Sequence, residues 1–149
     1  MNSKSLLWLV AAAAVGTFFF VRGGSVDHDG YQSALAAAAA TNKLVLVDFT
    51  GSDWCGWCIK LDEETFSKPE FREFAANHLE FLVVDFPKNK SLREGEREQN
   101  QNLKTKFGVE GFPTLILLDA SGKEIARQRG YLPGGPEALI RWINQASGQ

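Results

Sequence analysis

Cys55 and Cys58 are three positions apart and are the only two cysteines in the 149-residue chain. A thiol pair at this spacing is suited to disulfide exchange, in which a thiolate attacks a disulfide and the second thiol resolves the mixed disulfide. The apolar residues 44–50 predict a buried strand just before the pair, and residues 58–64 favour a helix after it. Free N–H groups and the dipole at a helix start stabilise a thiolate. The pair therefore predicts a redox site.

Two other roles are open to a cysteine pair. Zinc needs about four ligands, and the remaining candidates, His28 and His78, are far apart in sequence and in no ligand spacing. A structural disulfide is the stronger alternative, although a bridge that closes so short a loop removes little entropy from the unfolded chain. We therefore expect no metal, and because the chain has no phosphate-binding or nucleotide motif, no cofactor.

Asp48 stands among apolar residues within the predicted strand. Burying an unpaired carboxylate as an ion is costly, so the pKa of such a group rises. A carboxyl group with a raised pKa, a few residues before a thiol pair, is suited to carry the proton of the resolving thiol. The alternative is a carboxylate at the end of an edge strand, where it reaches water or caps the next loop.

Composition limits the classes of partner. The apolar content of 44% fits one globular domain with a real core, and the net charge of −2 provides no basic excess for binding nucleic acid. We expect a monomer with no nucleic-acid partner.

An apolar segment, from Leu6 to Val21, follows Lys4 and contains sixteen uncharged residues. As a helix it would span about 24 Å, short of the ~30 Å hydrocarbon core, which favours an export signal over a complete membrane span. Since no Ala-x-Ala cleavage site follows, a retained membrane anchor stays open, as does a buried helix of a soluble protein. Lys4 favours a cytoplasmic start. A signal or an anchor would place the rest of the chain outside the cytoplasm.

Apolar periodicity and turn residues predict the other elements. Helices are expected at residues 31–40, 60–66, 69–77 and 137–145, and strands at residues 44–50, 79–86, 114–118 and 123–128. Asp29 is expected to cap the first helix and Gly108 to end another. The most polar stretch, from Pro87 to Asn102, predicts a solvated loop or an exposed helix start, with a partner-recognition flap as the alternative. This order implies an α/β fold, with helices on both faces of a mixed four-stranded sheet.

Over residues 31–145 the chain resembles the thioredoxin-fold family. The matching motifs are Val47-Asp48-Phe49, Trp54-Cys55-Gly56-Trp57-Cys58, Gly111-Phe112-Pro113-Thr114 and Gly130. The chain is similar in particular to exported or membrane-tethered bacterial thioredoxin-like proteins with the motif Gly-Ser-Asp-Trp-Cys-x-Trp-Cys. The resemblance implies a thioredoxin-like domain over residues 26–149, after a signal or anchor with its linker over residues 1–25. It also implies a periplasmic or other extracytoplasmic thiol–disulfide oxidoreductase that acts on protein thiols and disulfides, with a membrane electron donor as a further partner.

The resemblance also implies individual roles. Cys55 would be the attacking thiol, Cys58 the resolving thiol, Asp48 the buried acid and Pro113 a cis-proline beside the sulfurs. The other implied substrate contacts are Trp54, Gly56, Trp57 and Phe112. Thioredoxins proper have Gly-Pro between the cysteines where this chain has Gly-Trp, and that dipeptide tunes the thiolate, so the direction of electron flow stays open.

Two other functions fit the same fold. A non-catalytic binding or chaperone module would use Trp54, Trp57 and Phe112 as an apolar patch. A membrane-tethered electron relay would use the same cysteines but would meet a single partner.

Overall fold

The apolar run before the cysteines forms the central strand, β1 (Leu44–Thr50), in a computed structural model that describes residues 30–148. β1 pairs in parallel with β2 (Leu79–Asp85) and antiparallel with β3 (Thr114–Leu118). β3 in turn pairs antiparallel with β4 (Glu124–Arg129). The strand order is β2-β1-β3-β4, which confirms the predicted mixed four-stranded sheet.

Helices cover both faces of this sheet, as predicted. α1 (Tyr31–Thr41) and α4 (Glu94–Lys106) contribute to the core on one face. The other face is covered by α2 (Gly56–Leu61), α3 (Pro69–His78) and α5 (Gly135–Ser147). A π-helical turn (Asp62–Phe66) continues α2, and in it the N–H of Ser67 donates to the carbonyl of Asp62, five residues earlier, at 2.8 Å.

Alternation along β1 divides its side chains between two cores. Val45, Val47 and Phe49 pack in the core with α1 and α4, whereas Leu46 packs in the core with α2, α3 and α5. Successive side chains of a strand point to opposite faces, so Asp48 leaves β1 on the same side as Leu46. The carboxyl group is thereby directed toward the face that carries the cysteine helix.

The hydrogen-bond acceptor at the start of α1 comes from another helix and not from a neighbouring residue. Gly30 is the N-cap residue and has no side chain to offer, and the N–H of Tyr31 instead donates to Oε1 of Gln99 in α4, at 3.1 Å. Asp29, the expected cap, lies outside the described residues. A residue distant in sequence therefore satisfies this helix end.

Other boundaries differ by a few residues. The second half of the polar stretch forms α4, which is followed by Gly108 at φ 58°, so the predicted helix stop is confirmed. β2 ends one residue earlier than expected, and β4 is displaced by one residue, within the usual uncertainty of element ends. α5 begins at Gly135 rather than Glu137 because Pro136 fits the first turn of a helix.

Within residues 30–148, no helix combines the length and the apolar character that crossing a bilayer requires. The segment from Leu6 to Val21 lies outside this range, so its assignment as a signal or an anchor stays a prediction.

Candidate active site

Cys55 and Cys58 form a disulfide at the start of α2, with their Cα atoms 5.2 Å apart. Cys55 is the N-cap residue of α2, and its Sγ atom accepts a hydrogen bond from the N–H of Cys58 at 3.3 Å. The sulfur therefore occupies the place of the side-chain oxygen of an ordinary N-cap residue. When the pair is reduced, this position stabilises a thiolate through the same N–H and the helix dipole. The predicted sequence of strand, loop and cysteine helix is confirmed.

The surface around the disulfide is unusually apolar. Within the described part of the chain, the exposed large hydrophobic side chains are Trp54 (39% exposed), Trp57 (58%) and Ile59 (37%), and all three adjoin the cysteines. Cys55 is 8% exposed and Cys58 3% exposed. Exposed apolar side chains that cluster in this way mark an interaction surface. The disulfide thus lies beneath a rim suited to contact another protein.

Pro113 adjoins this surface from another part of the chain. The Phe112–Pro113 peptide bond is cis, as predicted, and β3 begins at the next residue. The rings of Trp54 and Phe112 meet edge to face with centroids 6.1 Å apart. The fold therefore brings the loop of the cis-proline against the loop that precedes Cys55.

On the other side of the cysteines, Trp57 packs against Tyr131, with ring centroids 5.3 Å apart. The ammonium group of Lys60 lies 5.5 Å from the Trp57 ring and 5.2 Å from the Tyr131 ring. The Tyr131 hydroxyl donates to the Glu64 carboxylate, and this hydrogen bond raises the pKa of Tyr131. Sequence reasoning missed Tyr131, although it directly follows the motif residue Gly130.

Asp48 is buried in the central strand, which rules out the edge-strand alternative. Its partners in the sheet register are the apolar Val83 and Leu115, and its Oδ1 atom makes no hydrogen bond to any described residue. Burial raises the pKa of Asp48 to about 8, and the negative charges of Asp62 and Asp85 add to this effect. The group is therefore mainly protonated at neutral pH.

Asp48 leaves β1 on the face of the sheet that α2 covers, and Cys58 lies on the buried side of α2. Cys58 and Leu61 are one turn apart on the buried side of α2, and Leu61 shares a core with Leu46. A pKa of about 8 for Asp48 lies close to the ~8.5 of an ordinary thiol. Matched pKa values of this kind are what proton exchange between a carboxyl group and a thiol requires.

Residues 85–90, here called the strap, are fixed to the loop before Cys55. The indole N–H of Trp54 donates to the carbonyl of Phe86 at 2.7 Å. The carboxylate of Asp53 accepts hydrogen bonds from the backbone N–H groups of Lys88 and Asn89, at 2.9 and 2.7 Å. These bonds hold the start of the polar stretch against the active-site loop.

Asp85 adds a second connection between the strap and this loop. Its carboxylate accepts hydrogen bonds from the N–H and the hydroxyl of Ser52, at 2.9 and 2.6 Å. The ammonium group of Lys90 completes the arrangement with an ion pair to Asp85 at 2.9 Å. Sequence reasoning did not single out Asp85, Ser52 or Lys90.

Comparisons with known proteins agree with this geometry. A family model described as "Thioredoxin-like domain" matches residues 31–147. "Disulfide bond reductase DsbH" of Chlamydia pneumoniae is 38% identical over 126 residues, which cover 85% of this chain and 75% of that protein. The solved structure "DsbH Oxidoreductase" has a TM-score of 0.76 and 34% identity, and the match covers 97% of this chain and 94% of that one.

A longer protein shares only a part with this chain. "Thiol:disulfide interchange protein DsbD" of Actinobacillus pleuropneumoniae serotype 5b is 31% identical over 109 residues, which cover 72% of this chain but 17% of that protein. Its similarity is therefore confined to one portion of its length.

Proposed function

Because the chain belongs to the thioredoxin-like domain family and is a thiol–disulfide oxidoreductase, we propose that it reduces protein disulfides outside the cytoplasm. One observation carries the proposal: the Cys55–Cys58 disulfide lies at a helix start beneath exposed Trp54 and Trp57. The direction of electron flow is supported by the 38% identity to a protein named disulfide bond reductase.

The reaction starts from the reduced pair. The Cys55 thiolate attacks one sulfur of the substrate disulfide, the substrate S–S bond breaks, and the second substrate sulfur leaves as a thiolate that takes up a proton. Cys55 is assigned as the attacking residue because its sulfur caps α2 and because it is the more exposed of the two. The product of this step is a mixed disulfide between Cys55 and the substrate.

Cys58 completes the exchange. Its thiolate attacks Cys55 Sγ, which releases the remaining substrate sulfur and forms the Cys55–Cys58 bond. The substrate disulfide gains two electrons, and the cysteine pair loses two. In its ionised form, Asp48 takes up the proton that Cys58 loses, a role supported by its burial on the α2 side of β1 and by its pKa of about 8.

Substrate contacts are proposed around the disulfide. Trp54, Trp57 and Phe112 would contact the segment that flanks a substrate cysteine, and the loop of Pro113 would contact its backbone. Gly56 would add backbone contact at the exposed start of α2, where a Cβ atom built on it would meet nothing within 4 Å. Such a surface suits unfolded or flexible protein segments.

The pair must be reduced again for turnover. We assign this step to a membrane electron donor, supported by the likeness to part of DsbD, a protein named for thiol:disulfide interchange. The segment from Leu6 to Val21, within residues 1–25, would export or tether the domain of residues 26–149. The same likeness favours a second candidate, an electron relay with a single partner.

Trapping of a mixed disulfide tests the proposal. With an unfolded protein that carries one disulfide as substrate, the reduced Cys58→Ser variant should accumulate a mixed disulfide on Cys55, because attack proceeds and resolution does not. Cys55→Ser should trap no substrate. The wild-type pair should have a reduction potential nearer the about −270 mV of thioredoxin than the about −120 mV of a strong oxidant.

The matched control is the double variant with Ser at both positions. Substrate binding that survives in this control would favour the binding-module alternative. A Cys58→Ser variant that reacts with a single cellular protein and with no unfolded substrate would favour the relay.

A further inference from the structure

On the side of the disulfide that carries Trp54 and Phe112, two lysines lie over aromatic rings. The Nζ atom of Lys88 is 3.9 Å from the centre of the Trp54 ring. The Nζ atom of Lys104 is 5.9 Å from the Phe86 ring centre and 5.7 Å from the Phe112 ring centre. These five residues form what we call the aromatic–lysine platform.

The rings of the platform pack as one unit. Phe112 meets Trp54 edge to face at 6.1 Å and stacks on Phe86 at 5.1 Å. Trp54 directly precedes Cys55, and Phe112 directly precedes Pro113, so the platform borders the proposed substrate path on one side. An extended segment that reaches Cys55 across this border would place a neighbouring side chain on the platform.

Neither platform lysine forms an ion pair within residues 30–148, whereas the neighbouring Lys90 pairs with Asp85. Asp53 is adjacent, but its carboxylate is bonded to the backbone N–H groups of Lys88 and Asn89, which lowers its pKa. A chain with a net charge of −2 thus presents two cations without a carboxylate partner in its described part, next to its redox pair.

The backbone that carries these cations is held in place. Lys88 belongs to the strap, whose backbone is bonded to Asp53, and Lys104 belongs to α4. Fixed charges beside a binding path favour partners of opposite charge and disfavour partners of the same charge.

We propose that the aromatic–lysine platform is a specificity subsite for an acidic side chain, Asp or Glu, next to the reacting cysteine of the substrate. The methylene groups of that side chain would lie on the rings, and its carboxylate would approach Lys88 and Lys104. This inference rests on the proposed disulfide exchange at Cys55, and it adds the chemical class of the preferred substrate segment.

Three disulfide-linked peptides test the subsite. They share one sequence except for Glu, Gln or Lys beside each cysteine, and kcat/KM is measured for each with the full reduced chain. The wild-type protein should prefer the Glu peptide over the Gln peptide by about 3- to 10-fold, the range expected for two exposed ion pairs. The Lys peptide should react more slowly than the Gln peptide. The Glu preference should weaken as salt rises from about 20 to about 500 mM, because salt screens exposed charges.

The double variant Lys88→Met and Lys104→Met isolates the charges while keeping apolar side chains on the rings. Its Glu-to-Gln ratio of kcat/KM should fall to about 1. A ratio within one protein is informative because any change in the Cys55 thiolate affects both peptides equally. Lys123→Met is the matched control, since it removes an exposed lysine from the turn before β4, at the opposite end of β3 from Pro113. This control should keep the full preference.

Equal kcat/KM values for the Glu and Gln peptides with the wild-type protein would overturn the subsite. So would a double variant that slows all three peptides by one factor, because the lysines would then only support the rings. Failure of the wild-type protein to exchange with any peptide would instead count against the proposed function.

Discussion

Asp48 carries a carboxyl group into the centre of the sheet, between the apolar Val83 and Leu115 of the neighbouring strands. Its pKa in the folded protein is raised to about 8, whereas an unfolded chain gives about 3.9. The folded state therefore keeps a proton that the unfolded chain releases between these pH values. The stability that this proton affinity contributes is complete below pH ~4, declines as pH rises toward ~8, and declines no further above it.

Asp48→Asn removes this dependence while keeping the shape of the side chain. Relative to wild type, the oxidised variant should gain about 1–4 kcal/mol in its free energy of unfolding at pH 8 and should change little at pH 4. The reduced variant should resolve the mixed disulfide more slowly, because it has no carboxylate to take the proton of Cys58. Urea unfolding at several pH values and rapid-mixing kinetics measure the two effects.

An equal gain in stability at pH 4 and pH 8 would contradict the raised pKa of Asp48. An unchanged resolution rate between about pH 6 and 9 would remove Asp48 from the proton transfer, since an ordinary thiol titrates within that range. The two outcomes are independent, because the first depends on the pKa of Asp48 and the second on its part in proton transfer.

Local pattern was sufficient to single out the residues to which we assign the chemistry. Cys55 and Cys58 are identified by spacing, and Asp48 by its polarity within an apolar run. Lys88 and Tyr131 were missed because their contacts join segments that are distant in sequence, and no periodicity encodes such a contact. The cis bond before Pro113 followed from the family resemblance and not from local physics, since few X–Pro bonds are cis.

At the scale of elements, the polar stretch shows how a long-range contact changes a local expectation. Its charge pattern predicted a solvated loop, an exposed helix start or a flap. The exposed helix start is confirmed, because α4 begins within the stretch at Glu94. The residues before α4 are held to the active-site loop, since the N–H groups of Lys88 and Asn89 donate to Asp53. Lys90 pairs with Asp85, which in turn accepts from Ser52. The carboxylates of Asp53 and Asp85 therefore hold the first residues of the polar stretch in place.

Substitution of Gln99 tests the hydrogen bond by which its side chain caps the start of α1. Gln99→Ala should lower the free energy of unfolding by about 0.5–1.5 kcal/mol, because the N–H of Tyr31 loses its acceptor at a partly buried helix end. Gln99→Glu keeps an oxygen acceptor and adds a negative charge near the helix start, which is favourable, so it should restore most of this loss. Urea unfolding at neutral pH measures the free energy of unfolding of each variant.

Gln101→Ala is the control on the same helix, because this side chain is exposed and makes no hydrogen bond to a described residue. It should change stability by no more than about 0.5 kcal/mol. A loss in this control as large as that of Gln99→Ala would assign the effect to α4 itself and not to the cap of α1.

For the whole molecule, alternation and apolar runs were sufficient to predict the architecture. The pattern of residues 44–50 predicted a buried strand, and the helical stretches between the strands implied helices on both faces of the sheet. Which helix packs on which face did not follow from any single segment. It depends on the strand order β2-β1-β3-β4, which is set by contacts between distant segments.

The proposed location of the domain outside the cytoplasm can be tested with the full chain in cells. In cells that produce it, a membrane-impermeant thiol reagent should label Cys55 in intact spheroplasts after mild reduction, because the domain would lie outside the cytoplasm. Replacing Leu7 and Leu9 by Arg should abolish this labelling, since charges in the apolar segment oppose entry into the bilayer. Mass spectrometry of the labelled cysteine provides the measurement.

Labelling of that variant after cell lysis controls for folding and for the reactivity of the pair. Wild-type protein that reacts only after lysis would place the domain in the cytoplasm. Such a result would leave the chemistry of the cysteine pair intact and would reject the proposed compartment.

The π-helical turn after α2 also bears on how homologous sequences are aligned. Its hydrogen bond from Ser67 to Asp62 spans five residues, where an α-helical bond spans four, so the turn holds one residue more than a regular helix would. An alignment with any homologue whose helix is regular here needs a one-residue gap between Asp62 and Phe66. A gap placed elsewhere would shift the register between the cysteine motif and the buried Phe66, and would match surface positions of one protein with core positions of the other.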